Sequence, residues 1–323
     1  MLFALGTALE ADWDERQIGN RSYVSANSLK EFYKFQTLTR SGKSITLERS
    51  DVRIRLRQGS QECLMNGMKF IFSHPVAVAG GKAWISKIDL TKLVDPVLRP
   101  KFIGSAGNFR TVVIDPGHGG KDAGATNAYG TEADYNLTVS RYLKRLLEKQ
   151  GFRVVMTRED DRYLSLQQRV NLANEIEENA IFISVHHNSA RRSSARGIET
   201  FTLSPVGVAH YGRGLKASDF QKRAGNTHDS ANVALASAVH SRLLVGLKDK
   251  KSGRSYTLDR GIKRARFSVL SGVRHPSILI ECGFMSNGYE SKLIHDTGYQ
   301  RRVAAAIAEA VVRYRIIVGG TRP

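Results

Sequence analysis

The pattern of apolar and polar positions changes character near residue 105. From about Ser22 to Pro100 the apolar stretches are short and separated by turn residues. Val52-Arg53-Ile54-Arg55-Leu56 alternates with period two, the mark of a strand buried on one face. Asn66-Gly67, flanked by Cys63-Leu64-Met65 and Met68-Lys69-Phe70-Ile71-Phe72, predicts a two-residue hairpin, because both turn positions favour residues that tolerate positive φ. Gly80-Gly81 between Val76-Ala77-Val78 and Ala83-Trp84-Ile85 predicts a second hairpin. Ser28-Leu29-Lys30-Glu31 reads as a capping box opening a short helix to about Phe35. Pro96, Pro100, Gly104, Ser105 and Gly107 read as a linker. Residues 1–105 are therefore expected to form a small β-rich α+β domain with its linker.

From Arg110 onward, strands alternate with helices. Strands are expected at 111–114, 152–157, 181–185, 197–203, 267–270 and 277–280. A helix capped by Thr131 should run to Lys149 and stop at Gly151. Ser165-Leu166-Gln167-Gln168 is a capping box for a helix through Ile176. Further helices are expected at 231–247 and 299–315. This alternation predicts an α/β domain over residues 106–323, a three-layer sandwich with a largely parallel sheet. In such folds ligands gather beyond the carboxyl ends of the strands.

Composition narrows the function classes. The 41% hydrophobic and 24% charged fractions are those of a globular chain. Two cysteines cannot build a disulfide framework. The balance of 49 Lys+Arg against 30 Asp+Glu gives +19, which draws the chain towards polyanions. No helix-turn-helix, zinc finger or aromatic-basic RNA motif accompanies that charge, so nucleic acid is not expected as a partner. No stretch reaches the ~18–20 apolar residues of a membrane span. The apolar start, Met1 to Ala11, lacks a basic flank and reads equally as the tail of a secretory signal or as a plain terminus.

The expected strand ends carry the chemistry. His118 stands in Asp115-Pro116-Gly117-His118-Gly119-Gly120, Glu132 opens the following helix, His186-His187 and Asn188 follow the strand at 181–185, and Glu281 follows 277–280. Singly, each has an ordinary reading, such as a surface turn histidine or a carboxylate complementing a helix dipole. Together, His, Glu and His at one sheet edge make the two-nitrogen, one-carboxylate set of a catalytic Zn²⁺ site with a position left for water. Glu281 is then available as general base, and the metal would lower the pKa of that water towards ~7.

Several separated motifs also resemble the zinc-dependent N-acetylmuramoyl-L-alanine amidases of bacterial cell walls. They are Val113 through Gly120, Glu132 with Asn136-Leu137, Thr157-Arg158, Arg169 with Ala173-Asn174, Ile183-Ser184-Val185-His186 with Asn188-Ser189, Arg196-Gly197-Ile198-Glu199, and Pro276 through Asn287. The resemblance runs in family order from about residue 110 to 315. It implies one Zn²⁺ per chain held by His118, Glu132 and His186, with Glu281 catalytic. The implied reaction is hydrolysis of the amide between N-acetylmuramic acid and L-alanine of peptidoglycan, in the periplasm or outside the cell. Strand alternation turns His187 to the opposite face, which gives it a supporting or substrate-facing role. Asp115 is expected to orient His118 or close its turn, and Asn188 and Ser189 to line the substrate groove. The N-terminal part resembles the small β-rich domain first named from copper amine oxidases, on Asn66-Gly67, Pro75, Gly80-Gly81, Ile85-Ser86, Leu90 and Leu98-Arg99-Pro100. One histidine, His74, cannot build a copper site. That domain is expected to attach or position the protein on the wall, or to serve structure alone.

The stretch from Ser204 to Ser230 departs from the pattern of relatives that carry a self-inhibitory helix there. Gly207, Gly212, Gly214 and Gly225 oppose a long helix, although 217–224 has room for two turns. It reads as a mobile, basic loop that grips an anionic polymer or gates access, with autoinhibition the lesser reading. Arg169 is expected to be a structural ion-pair partner, Cys282 a buried thiol, and Asp160-Asp161 a solvated turn. His210, His240, His275 and His295 are expected to be ordinary. Competing functions are a zinc peptidase of stem peptides and a non-catalytic wall-binding protein. No activator protein is specified by these residues.

Overall fold

The computed structural model describes residues 12–104, 107–248 and 252–319, so the apolar start and Ser105 of the expected linker lie outside the described residues. The chain divides between Leu98 and Arg99 into two compact units.

In the N-terminal unit, Thr37–Ser41, Ser44–Arg49, Val52–Arg57, Glu62–Met65 and Met68–Ile71 form an antiparallel meander. Ile54 and Leu56 are buried while Arg53, Arg55 and Arg57 are exposed, as the period-two pattern requires. Asn66 (φ 50) and Gly67 (φ 82) close the hairpin that pairs Met65 with Met68. Gly80 (φ 57) and Gly81 (φ 76) close the one between Ala77–Ala79 and Lys82–Ser86. The short helix is Ala26–Phe32, capped by Ser25 and not by Ser28. Ser25 is the last extended residue of its strand, so its hydroxyl accepts from the Ser28 N–H. The expected linker is helical at Asp95–Leu98 and Pro100–Phe102, because the fixed φ of proline suits a first helical turn.

In the second unit the strands lie in the order Arg153–Met156, Thr111–Pro116, Ala180–Asn188, Ser277–Phe284, Ile198–Leu203 and Asp259–Ala265. Neighbours are parallel except Ser277–Phe284 with Ile198–Leu203. Thr111–Pro116 is buried throughout, as a central parallel strand covered on both faces must be. Helices Glu132–Lys149, Asp229–Gly246 and Thr297–Gly319 cover one face. On the other, Val170 and Ala173 of helix Leu166–Asn174 and Val269 and Leu270 of helix Ser268–Gly272 pack on Val113, Phe182, Phe201, Leu203 and Leu279. No described helix is long and apolar enough to cross a membrane.

The N-terminal signals of this unit read correctly: Thr131 caps Glu132–Lys149, and Ser165 with Gln168 forms the capping box of Leu166–Asn174. Residues 267–270 are not a strand but the start of helix Ser268–Gly272. The missing strand is Asp259–Ala265, whose Lys263 and Arg264 are buried yet charged, so no apolar run announces it. Helix Gly288–His295, capped by the Asn287 side chain, was also not expected. Ala180–Asn188 and Ser277–Phe284 continue through their polar residues, so His186, His187 and Glu281 lie within strands and not beyond them.

Candidate metal centre

His118 has a left-handed backbone (φ 60), a strained state for a non-glycine residue that surrounding bonds must hold. Two buried arginines hold it. Arg158 donates from Nε to the Pro116 carbonyl (3.0 Å) and from Nη2 to that of Gly117 (2.8 Å). Arg169 donates from Nη2 to the His118 carbonyl (2.7 Å) and from Nη1 to Asp115 Oδ1 (2.8 Å). Asp115 also accepts from Thr157 Oγ1 (2.6 Å) and Ser184 Oγ (2.8 Å). Burial opposes its ionisation, but the Arg169 charge and these donors hold its carboxyl below the ordinary range.

Of the two roles expected of it, Asp115 does not orient the His118 ring but helps close its turn, through the Arg169 that also binds the His118 carbonyl. All its bonds run to the scaffold, and the carboxylate on His118 Nδ1 is Asp122 Oδ2, at 2.9 Å. That contact turns His118 Nε2 towards Glu132 Oε1, 3.2 Å away. His186 Nδ1 approaches the same oxygen at 3.0 Å. The ligand atoms offered by His118, Glu132 and His186 all lie within 4.8 Å of one another. Hydrogen bonds from both histidines overcome burial and hold the Glu132 carboxyl far below its ordinary range. Two imidazole nitrogens facing one ionised carboxylate suit a divalent cation.

The backbone leaves room only for these rings. A Cβ on Gly117 would fall 2.1 Å from His186 Cε1, and one on Gly124 would fall 2.7 Å from both Glu132 Oε2 and His118 Cδ2. Asp122→Ala should weaken metal binding about 10–100-fold by freeing the His118 ring, as loss of an outer partner does elsewhere. Competition with a chelating dye measures this, and unchanged affinity would show that Asp122 does not orient the ring.

His187 lies on the opposite face and is fully buried, which corrects its substrate-facing reading. Its backbone N–H donates to Glu132 Oε1 (3.2 Å) and its Nδ1 meets Asn136 Oδ1 (2.8 Å). Burial pushes its pKa down to about 4, so the ring is neutral at pH 7. It supports Glu132 from behind. Asn188 donates to Glu199 Oε2 (3.2 Å) and is not among the residues lining the cavity.

Glu281 is in register with His186 on the neighbouring strand, so both side chains leave the same face. Its Oε2 is buried and has no hydrogen-bond partner among the described residues. Burial, then the carboxylates of Glu132 and Glu199, push its pKa well up, against the pull of Lys263. Lys263 is itself taken by Glu199, with Nζ 2.5 Å from Oε1, and Arg260 binds the same oxygen. A cavity of about 370 Å³ brings together His118, His186, Glu281, Tyr163, Arg169 and Phe267. Cys282 alternates inward and is buried.

Asp122, Asn136 and Glu199 received no role from the sequence. Asn136, Arg158 and Glu199 lie in the motifs that carry the family resemblance, but only the fold shows what they bond. Asp122 has one local signal, its place four residues after His118 in a glycine-rich turn.

Two imidazoles and a carboxylate whose ligand atoms lie within 4.8 Å, with Glu281 on the wall of the cavity that both histidines line, make a donor set that could hold the metal ion of a hydrolase. The profile of the N-acetylmuramoyl-L-alanine amidase family matches residues 112–313, and the chain belongs to that family. Its members hydrolyse the amide that joins N-acetylmuramic acid to L-alanine in peptidoglycan. The N-acetylmuramoyl-L-alanine amidase AmiC of Escherichia coli O6:H1 is 32% identical over 246 residues, 71% of this chain and 59% of that relative. The chain thus spans less than two thirds of that relative's length. The catalytic domain of CwlV, an amidase from Bacillus (Paenibacillus) polymyxa var. colistinus, superposes with a TM-score of 0.52 at 30% identity, covering 64% of this chain and 98% of that one. An N-acetylmuramoyl-L-alanine amidase from Clostridium difficile 630 gives a TM-score of 0.52 at 32% identity, covering 64% and 97%.

Proposed function

We propose that this chain cleaves the N-acetylmuramoyl–L-alanine amide of peptidoglycan, with His118, Glu132 and His186 holding one Zn²⁺ and Glu281 as general base. The observation that carries this reading is the approach of His118 Nε2 and His186 Nδ1 to Glu132 Oε1, on the cavity that Glu281 also lines. A zinc ion bound there would supply a Lewis acid that makes water nucleophilic near neutral pH and polarises the scissile carbonyl. Glu281 takes the proton of the attacking water and returns it to the departing L-alanine amine. Its raised pKa suits the second half of that exchange, since the acid must also donate. Phe267, Val269 and Leu279 give the cavity an apolar wall that strengthens these charge interactions by excluding water.

The substrate places the enzyme in the periplasm or outside the cell. The N-terminal unit, with Arg53, Arg55 and Arg57 exposed along one strand, is read as a module that positions the protein on the anionic wall.

Digestion of purified peptidoglycan followed by mass spectrometry tests the activity. Intact stem peptides with a free L-alanine amine are expected; shortened peptides would indicate a peptidase, and no release a binding protein. His118→Ala should lower zinc below one per chain by atomic emission. Full occupancy in that variant would place the metal elsewhere.

A further inference from the structure

Beside the metal centre lies a second, larger cavity of about 690 Å³, lined by Arg213, Lys216, Lys222, Arg223 and Arg266. We propose that it is a subsite for a carboxylate of the stem peptide, an inference that rests on the amidase reading above.

The sequence supplies the charge in the loop from Ser204 to Ser230, which folds into turns at Ala217–Phe220 and Ala224–His228 with no long helix. The buried carboxylate of Asp219 ties that loop together. It accepts from Arg213 Nη1 and Nη2 (2.7 Å each), from the Lys216 backbone N–H (2.8 Å), and pairs with Arg266 Nε (2.9 Å). The Arg213 bonds hold Asp219 well below the ordinary carboxylate range. Asp219 offsets one of these positive charges, and no acidic side chain lines the cavity, so a cationic excess remains.

Arg266 points to a ligand. Its side chain is 10% exposed, and its Nη2 donates to the carbonyls of Pro205 (2.9 Å) and Asp219 (2.6 Å). Its Nη1 has no hydrogen-bond partner among the described residues. Nε and Nη2 are already bonded, so Arg266 brings to the cavity wall its positive charge and one spare donor, the enclosed Nη1, which a single carboxylate oxygen would satisfy. Arg266 and Ser268 also line the cavity of the metal centre, so the two spaces adjoin. A substrate whose amide lies at the metal centre therefore has its own peptide arm within reach of the basic walls. That arm carries free carboxylates, which favours the substrate itself over a separate phosphate polymer as the source of the anion.

The test uses the full-length zinc-loaded protein and the double variant Lys222→Ala/Arg223→Ala, two exposed positions whose loss leaves the Asp219 tie in place. The substrates are a muramyl peptide with free D-glutamate carboxylates and its amidated counterpart. Wild type should prefer the free acid about tenfold in kcat/KM, and the variant, which loses two of the five cations and keeps Arg266, should lose most of that preference through KM. The preference should also shrink as salt is added. Equal rates on both substrates in wild type, or an unchanged preference in the variant, would overturn the subsite. Calorimetric binding of the two peptides to the metal-stripped protein decides the subsite even if wild type releases no peptide, a result that would remove the amidase reading instead. If poly(glycerol phosphate) binding falls in the variant while peptide binding is unchanged, the cavity serves a phosphate polymer and the proposal fails.

Discussion

Glu281→Gln is expected to lose about 10²–10⁴-fold in turnover, the range that a positioned general base contributes. Glutamine has nearly the same shape, and Glu281 is not among the three groups offering ligand atoms, so zinc content should stay at that of wild type. Stability should not fall. The wild-type carboxylate is partly buried and has a buried oxygen with no hydrogen-bond partner among the described residues. Exchanging such an ionisable acid for a neutral amide removes a desolvation cost without opening a hole. Stem-peptide release, zinc analysis and a melting curve on the same preparation check the three parts. A near-normal rate would show that another group takes the proton, whereas a lost metal would show that Glu281 is a ligand.

Gly117→Ala should have an effect of similar size by a different route. Gly117 is pinned on one side by its N–H bond to the Val185 carbonyl (3.0 Å) and on the other by Arg158 Nη2 on its carbonyl (2.8 Å). The new methyl would sit 2.1 Å from His186 Cε1, so the ring must give way. We expect zinc content and activity to fall together, with a stability loss of about 1–3 kcal/mol from overpacking. Gly104→Ala is the control, since a Cβ there meets nothing within 4 Å. Denaturant unfolding and zinc stoichiometry measure both effects. A Gly117→Ala protein with full zinc and normal rates would mean that His186 is not held as described.

Which parts of this molecule were legible beforehand follows from the range of the forces involved. Alternation in Val52–Arg57, the Asn66-Gly67 turn and the Ser165–Gln168 capping box are local, and each needs only a few neighbouring residues to be decided. The candidate ligands were visible for a related reason: polar residues in or beside buried strands require partners, whatever those partners are. Strand Asp259–Ala265 escaped because Lys263 is neutralised by Glu199, a residue 64 positions away, and nothing local marks that bond. The partner of His118 escaped similarly. Asp115 and Asp122 both stand near the histidine in sequence, and only the path of the turn gives the first to Arg169 and the second to the imidazole.

The alternation that turns Glu281 towards the cavity turns the sulfur of Cys282 into the apolar layer behind the sheet, and Cys63 is equally enclosed in the N-terminal unit. These are the chain's two thiols. Neither the electrophiles nor the oxidants that reach the reacting face would meet either of these thiols there, so oxidising surroundings would leave both uncrosslinked while the chain stays folded.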